Sequence, residues 1–300
     1  MSAAQIIDMS KLPPPQVVQV LDFEAKFAEL KADLIEAYPA AAATLELESE
    51  PLTKWLQRTA YQLVNQDAKT NDSALAVMLA YATGADLDQL GAWYDTARLT
   101  ITPADPDASP PVEAVMEDDD AFRERIHLAP RGFTTAGPEG AYIYHARSAD
   151  GQVLDAWPYS PTPGQVVVTV LSRTDDGTPS PELLAKVTNA LSSEDIRPMT
   201  DEVIVQGADI LGYAVEAVIY TLPGPDSQTV LDTAIAGARA YAATMHRIKR
   251  TPTVTGFIAA LQVAGVHRVD LISPAADIVC GDTQASWCTA FDITWGGTSE

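Results

Sequence analysis

The chain has 300 residues, of which 47% are hydrophobic and 20% charged, a length and composition that suggest about two globular domains and exclude predominant disorder. Nineteen Lys and Arg against 41 Asp and Glu give a formal net charge of −22. Because nucleic-acid affinity depends on cations that replace condensed counterions, this acidic field argues against a nucleic-acid partner.

Residues 1–11 lack the charged-then-apolar pattern of a secretory signal. No apolar run in the chain approaches the roughly 18 residues of a membrane span. We therefore expect no membrane insertion. Cys280 and Cys288 are too few for a disulfide framework, so a reduced pair is expected, with a disulfide between them as the alternative.

Residues 16–38 carry apolar side chains at alternating spacings of three and four, which predicts a helix with a heptad seam. The seam consists of Val20, Phe23, Phe27, Leu30, Leu34 and Ala37. It covers about two and a half heptads, whereas coiled coils are recognised from three or four. Two interpretations stay open: the seam packs on its own domain, or it faces another chain. Pro39 marks the end of the helix.

Two further helices are predicted before residue 84. Pro51 suits a first helical turn, and the apolar residues that follow it share one side of the helix. These residues are Leu52, Trp55, Leu56, Leu63 and Val64. A separate helix is predicted in NDSALAVMLAYATG, residues 71–84, capped by one of its first three polar residues and ended by Gly84 in the left-handed conformation.

GADLDQLGAWYDTAR, residues 84–98, is unusually rich in acidic, apolar and aromatic residues. Asp86 is a good N-cap, and the face that the helix would bury contains Leu87, Leu90, Gly91 and Tyr94. Asp86 and Asp88 point away from each other on a helix, which is poor geometry for one metal ion. We therefore expect a structural helix here rather than a metal site.

Residues 99–120 contain four prolines and seven acidic residues, which predicts an extended, exposed linker. EDDDAFRERI, residues 117–126, then begins a helix whose acids lie at its positive end, with Phe122 and Ile126 on one side. The acids lack the alternating ligands and the turn glycine of a calcium loop, so a solvated helix start is preferred.

The second half of the chain alternates helices with strands. Helices are predicted at 137–148, 181–193, 226–250 and 253–265, the third closed by the basic run HRIKR. Strands are predicted at 152–159, 165–172, 202–209, 213–222 and 267–273, with short strands near 277–280 and 289–295. The strand QVVVTVLS, residues 165–172, reads as buried on both faces.

An internal echo links the two parts of this second half. At an offset of 115 residues, 141–156 aligns without gaps with 256–271, so that Leu154 falls on Val269. At an offset of 48, Val170 falls on Val218, and the helices that follow also match. Each match joins a helix to a strand, which predicts two related units. Parallel and antiparallel pairing stay equally open.

We predict an α+β fold, with a helical N-terminal region followed by two related α/β units with short mixed sheets. The predicted segments are the helical region at 1–98, the acidic Pro-rich linker at 99–120, and the two α+β units at 121–210 and 211–300.

A search for an active site is mostly negative. The sequence lacks GxGxxG after a strand, GxxxxGK[ST], GxSxG and HExxH. Its histidines, His127, His145, His246 and His267, are scattered, and the acids of Asp175-Asp176-Gly177 are typical of a turn. We therefore predict no catalytic, cofactor-binding or metal-binding residues and no enzymatic activity.

The order of four segments resembles the baseplate J-like family, the wedge proteins of contractile phage tails and of related phage-tail-like bacteriocins. The segments are 82–98, 117–126, 135–171 and 197–209, which include the turn SPTPG and the stretch RPMTD. One departure is Pro138, where the family more often has a small polar residue; proline still suits a first helical turn.

The resemblance implies an architectural role. It implies that the N-terminal helices join a bundle with a second copy of the chain and with another wedge protein. It implies further contacts with neighbouring wedges, hub and sheath components, and synthesis in the bacterial cytoplasm before incorporation into the tail baseplate. The partner interface would be Val20, Phe23, Phe27, Leu30 and Leu34. The structural motif residues would be Gly84, Leu87, Asp88, Leu90, Gly91, Arg98, Arg197, Pro198, Thr200 and Asp201.

Two other functions stay open on the sequence. A tail-associated wall-degrading hydrolase would need positioned carboxylates or a metal cluster in a cleft. A small-ligand regulatory module built on the repeated α+β units would show a melting temperature that shifts with its ligand.

Overall fold

The computed structural model describes residues 9, 12, 13, 15, 19–134, 138–193, 196–198, 200–224 and 226–298. These residues fall into two compact units, one within Ile6–Ala97 and one within Arg98–Glu300. Within the described ranges, no helix is long and apolar enough to cross a membrane. The finer division into four segments stays a prediction.

The N-terminal unit contains three α-helices, α1 (Phe23–Ala37), α2 (Pro51–Ala76) and α3 (Gly84–Ala92), with two short 3-10 turns between α1 and α2. The carboxylate of Asp22 caps α1 by accepting a hydrogen bond from the Ala25 amide at 2.9 Å. Tyr38 ends the helix immediately before Pro39, as the sequence predicts. The 3-10 turns supply the buried residues Ala41 and Leu45.

A small apolar core joins α1 to α2. Its buried members are Ala41, Leu45 and Leu56, and Phe27, Leu30, Leu34 and Ile35 pack against them while staying half-exposed. Three residues of the heptad seam therefore contact the chain's own core. The other two seam residues of the predicted interface lie outside this cluster. Val20 is 90% exposed, and the Phe23 ring stacks on the Phe27 ring with 6.2 Å between the centroids.

The helix predicted to start at residues 71–73 does not form separately, because α2 runs through this position without a break. Asn71 is buried inside α2 and binds the backbone of Gln19 instead of capping a helix. Its side-chain oxygen accepts from the Gln19 amide at 2.7 Å, and its amide nitrogen donates to the Gln19 carbonyl at 2.9 Å. Gly84 does adopt a positive φ of 53°, but it begins α3 instead of ending a helix. Thr83 is the N-cap residue, and Asp86 lies in the first turn.

Residues 100–116 form an antiparallel hairpin where the sequence predicted an extended linker, and Asp119 and Asp120 already belong to α4. β1 (Thr100–Thr102) pairs with β2 (Val115–Met116), and the Asp105–Val112 bridge extends the ladder. The Asp105 carboxylate accepts from the amides of residues 107 and 108, because acidic residues form turns as readily as they form linkers.

The hairpin packs on the turn that precedes the first strand of the larger sheet. Gln152 donates from its side-chain nitrogen to the Ile101 carbonyl at 2.7 Å. At Gly151 a Cβ atom would lie 2.4 Å from the Thr100 carbonyl oxygen, which only glycine avoids. The acidic segment is therefore fixed to the C-terminal unit.

The first α+β unit follows helix α4 (Asp119–Gly132) and contains α5 (Glu139–Ala149), β3 (Val153–Tyr159), β4 (Gln165–Ser172), α6 (Pro181–Leu191) and β5 (Glu202–Gly207). β4 is central, antiparallel to β3 and parallel to β5. Six consecutive residues of β4 are buried, as predicted. Their core partners include Tyr142 and Ala146 of α5 and Leu183 and Val187 of α6.

The second α+β unit contains β6 (Asp209–Thr221), α7 (Ser227–Met245), α8 (Val254–Leu261), β7 (Val266–Ser273) and β8 (Gln284–Thr298). β6 is central, antiparallel to β7 and parallel to β8. Phe257 is fully buried here, with the rings of Tyr213 and Tyr241 edge-on at 5.9 and 4.8 Å between centroids.

The two sheets have the same arrangement but a different chain order. In the first unit α5 and β3 precede β4 and α6; in the second unit β6 and α7 precede α8 and β7. This exchange of halves explains why the sequence echo requires two offsets. The registers agree as well, since Pro158 pairs with Val168 in the first sheet and the equivalent residues, Ser273 and Glu216, pair in the second.

Two sequence predictions in this unit are wrong. α7 ends at Met245, so the basic run HRIKR lies beyond the helix. Ile248 of this run is buried against Leu171 and Ala285 and forms an isolated β-bridge with Ala285. Residues 277–280 form no strand, and one continuous strand, β8, replaces the short one expected near 289–295. Pairing with β6 over 13 positions stabilises that long strand.

Candidate functional site

A buried ion pair stands at the start of α4. The side chains of Glu117 and Arg125 are each 3% exposed. Arg125 donates from Nη2 to Oε2 of Glu117 at 2.7 Å and from Nε to Oε1 at 3.2 Å. A fork of this kind satisfies both charges, which would be costly to bury separately.

Arg98, the last residue of the first family-like segment, binds the same region. Its Nη1 donates to the Glu117 carbonyl oxygen at 2.7 Å, and its Nη2 lies 2.8 Å from Oδ1 of Asp119. Two guanidinium groups lie over the buried Phe122 ring, with Arg98 Cζ 4.7 Å and Arg125 Cζ 5.4 Å from its centroid. Arg98, the one residue of the first segment that belongs to the C-terminal unit, thus contacts the second segment.

Contacts between α4 and α5 join the second segment to the third. Arg147, which is 6% exposed, pairs with Glu124 at 3.1 Å, and Arg125 reaches the Ser148 hydroxyl at 3.4 Å. At the other end of α5, the Tyr142 hydroxyl donates to Oδ2 of Asp201 at 2.9 Å. Burial, together with this hydrogen bond, raises the pKa of Tyr142, so the phenol stays protonated and donates.

In the RPMTD stretch of the fourth segment, the described residues Arg197, Pro198 and Thr200 form hydrogen bonds with Asp201. The Asp201 amide donates to the Pro198 carbonyl at 3.1 Å, and the Thr200 hydroxyl donates to Oδ1 of Asp201 at 3.3 Å. Arg197 donates from Nη1 to the Asp201 carbonyl at 3.5 Å, and its buried Nε has no hydrogen-bond partner among the described residues. Side-chain contacts thus connect all four segments in the described part of the chain; residues 135–137 of the third segment and residue 199 of the fourth lie outside it.

The remaining motif residues lie on α3. Leu87 is fully buried and Gly91 is buried, Leu90 is half-buried, and Asp88 is exposed, as is Gly84. Trp93 directly after the helix is 85% exposed, which makes it one of the most exposed large side chains in the described residues. An aromatic side chain in this position costs hydration free energy unless a partner covers it.

The described residues contain no group of three or more His, Cys, Asp or Glu that could hold a metal ion. Cys280 and Cys288 are free thiols, and burial raises the pKa of both, which disfavours the nucleophilic thiolate. His145 binds the Gly132 carbonyl through Nε2 at 3.1 Å, and burial lowers its pKa. These groups have the environments of core side chains.

His246 gives the C-terminal unit a specific pH dependence. Its Nδ1 donates to the Ser286 carbonyl at 2.6 Å, and burial lowers the pKa of the ring. At pH values between the lowered pKa and the usual one, the His246 ring binds a proton in the unfolded chain but not in the folded protein. The contribution of His246 to the free energy of unfolding is therefore fully present above the usual pKa and is lost as the pH falls below it.

We therefore expect the free energy of unfolding to fall between about pH 7.5 and about pH 5.5, with a His246 contribution of at most about 1.4 kcal/mol per pH unit. Urea unfolding of the wild type and of His246→Asn across this range isolates that contribution. A variant whose pH slope equals that of the wild type would contradict the prediction.

Comparisons with known proteins agree on one family. The family model described as the Baseplate J-like N-terminal domain matches residues 48–105, and that of the Baseplate J-like central domain matches residues 134–207. The chain is 49% identical over 300 residues to the Baseplate protein J of Escherichia phage P2, covering 98% of this chain and 99% of the relative.

Proposed function

The chain belongs to the baseplate J-like family, and from that premise we propose that it is a wedge subunit that self-associates and binds a second wedge protein. As a member of this family it is a structural component of a tail baseplate. The proposal concerns how it is held there: by N-terminal helices that bind partners and by a C-terminal unit that contacts neighbouring wedges, hub and sheath. We further propose synthesis in the bacterial cytoplasm, a structural rather than catalytic role, and no nucleic-acid partner.

The observation that carries this proposal is the exposed apolar surface of the N-terminal unit. Val20 is 90% exposed, Trp55 62%, Tyr61 58% and Trp93 85%. Large apolar side chains grouped in one small unit mark a surface that another protein covers. The contacts among the four family-like segments support a different task, which is to hold the C-terminal unit rigid.

The heptad seam divides between two tasks in this proposal. Phe27, Leu30 and Leu34 hold α1 on the core of their own unit. Val20 and Phe23, which that core does not bury, face a second copy or another wedge protein. This division combines the two interpretations that the sequence leaves open.

We expect Val20→Asp combined with Phe23→Asp to leave the unit folded and to reduce baseplate assembly by about tenfold or more, because two apolar contacts are replaced by charges. Circular dichroism checks the fold, and counts of baseplates in negative-stain micrographs of native lysates check assembly. The matched control is Ala25→Asp with Ala32→Asp, which adds the same charge to exposed positions on the opposite face of α1. Unchanged baseplate counts with the Val20 and Phe23 pair would refute the proposed interface.

A further inference from the structure

A cavity of about 390 Å³ lies in the C-terminal unit between α7 and β8. Trp287 and Phe291 of β8, Ala243 of α7 and Leu154 of β3 form its apolar walls. Its volume is in the range of about 300–1,000 Å³ that is typical of binding pockets. None of the described residues that line it is acidic, although the chain has 41 acidic residues.

Two guanidinium groups line the same cavity. Arg239 is exposed at its edge, with Cζ 5.7 Å from the centroid of the Phe291 ring, and it forms no ion pair with any described residue. Arg247 donates from Nη1 to the His246 carbonyl at 3.2 Å and likewise has no described carboxylate within ion-pair distance. Burial lowers the pKa of Arg247, while the nearby Asp155 and Glu124 favour its charge.

This combination of walls selects for one kind of occupant. An apolar group gains free energy by replacing water against the two aromatic rings. A carboxylate next to that group would pair with guanidinium groups that lack such a partner, in a bidentate geometry that arginine favours. Because the overall charge of −22 disfavours acidic segments, we expect such a segment to bind where two arginines lie without a described carboxylate within ion-pair distance.

We propose that the cavity is a docking socket for a short acidic segment of another tail protein. An apolar side chain of the segment fills the space against Trp287 and Phe291, and a carboxylate within a few residues of it binds Arg239 and Arg247. The proposal rests on the proposed function, because the occupant is a protein that this chain meets in an assembled tail.

The test places a photo-crosslinking residue at the cavity, Ala243→p-benzoylphenylalanine, because Ala243 is an exposed lining residue whose replacement spares the core. Assembled tails are irradiated, and mass spectrometry identifies the crosslinked peptide. We expect a peptide of another tail protein that contains Asp or Glu next to an apolar residue. Arg239→Glu should reduce this crosslink about tenfold, whereas Arg250→Glu, a charge reversal at an exposed arginine outside the lining, should leave it unchanged.

Three results would overturn the socket: no crosslink to another protein, crosslinks within the same chain only, or a crosslink that Arg239→Glu does not reduce. Native mass spectrometry of the purified chain tests the alternative of a free ligand. A bound small carboxylate would assign the cavity to that ligand and overturn the docking of a protein segment. Immunoblotting of the tails distinguishes failure of the socket proposal from failure of the proposed function. If the chain is present in the particle but the crosslink is absent, the socket alone is wrong; if the chain is absent from the particle, the proposed function is wrong.

Discussion

Replacing Arg125 with methionine is expected to lower the free energy of unfolding of the C-terminal unit by about 3–5 kcal/mol. Arg125 and Glu117 are each 3% exposed, so the variant leaves a carboxylate buried without its cation. The change also removes the guanidinium that lies on the Phe122 ring and the hydrogen bond to Ser148. Urea unfolding followed by tryptophan fluorescence measures the loss.

Two controls separate the buried charge from other effects of the substitution. Arg268→Met removes an arginine from the same unit, but it is 54% exposed and its partner Asp270 is 46% exposed, so the loss should stay below about 1 kcal/mol. Glu117→Leu combined with Arg125→Met should recover most of the stability, because an apolar pair needs no compensating charge. If the double variant were as unstable as Arg125→Met, the burial of an unpaired carboxylate would not be the cause.

Replacing Leu87 and Leu90 together with serine should destabilise the N-terminal unit by at least about 3 kcal/mol and prevent tail assembly. Leu87 is fully buried and Leu90 half-buried, so the change both removes apolar contacts and introduces hydroxyl groups into the interior. Thermal unfolding measures the stability, and particle counts measure the assembly. Full recovery of assembled particles would show that this helix is not a required structural element.

The matched control for that pair is Trp93→Ser, one residue past the same helix. Trp93 is larger than either leucine but 85% exposed, so its loss should change the free energy of unfolding by no more than about 0.5 kcal/mol. The comparison separates burial from size. It also provides a folded variant in which the contribution of Trp93 to partner binding can be measured alone.

The sequence predicted the helices and strands of the C-terminal unit well, because their periodic patterns agree with their burial. The buried run of β4 and the amphipathic α6 are examples. Predictions failed where a distant contact determines the local structure. Asn71 pairs with Gln19, 52 residues away in sequence, and Ile248 packs on a strand rather than extending a helix. Helix propensity depends on local sequence alone and therefore does not predict either contact.

The buried ion pair shows the same limit for the candidate site. Glu117 belongs to a run of four acids, and such a run usually lies in solvent. A usable signal was nevertheless present, because Arg125 follows Phe122 by three residues and precedes Ile126, which places it on the apolar side of α4. The partner and its distance depend on the hairpin, which composition alone presented as a linker.

The connection between the two sheets is too short to act as a hinge. β5 ends at Gly207 and β6 begins at Asp209, so Ala208 is the only residue between them. Its amide donates to the Val170 carbonyl at 3.0 Å, and its side chain is buried. A hinge needs residues whose φ and ψ can change freely, and neither constraint allows this. We therefore expect the two sheets to move as one rigid body, so that a displacement of β8 also displaces β3. Any bending of this chain during a rearrangement of the baseplate is therefore expected outside residues 207–209.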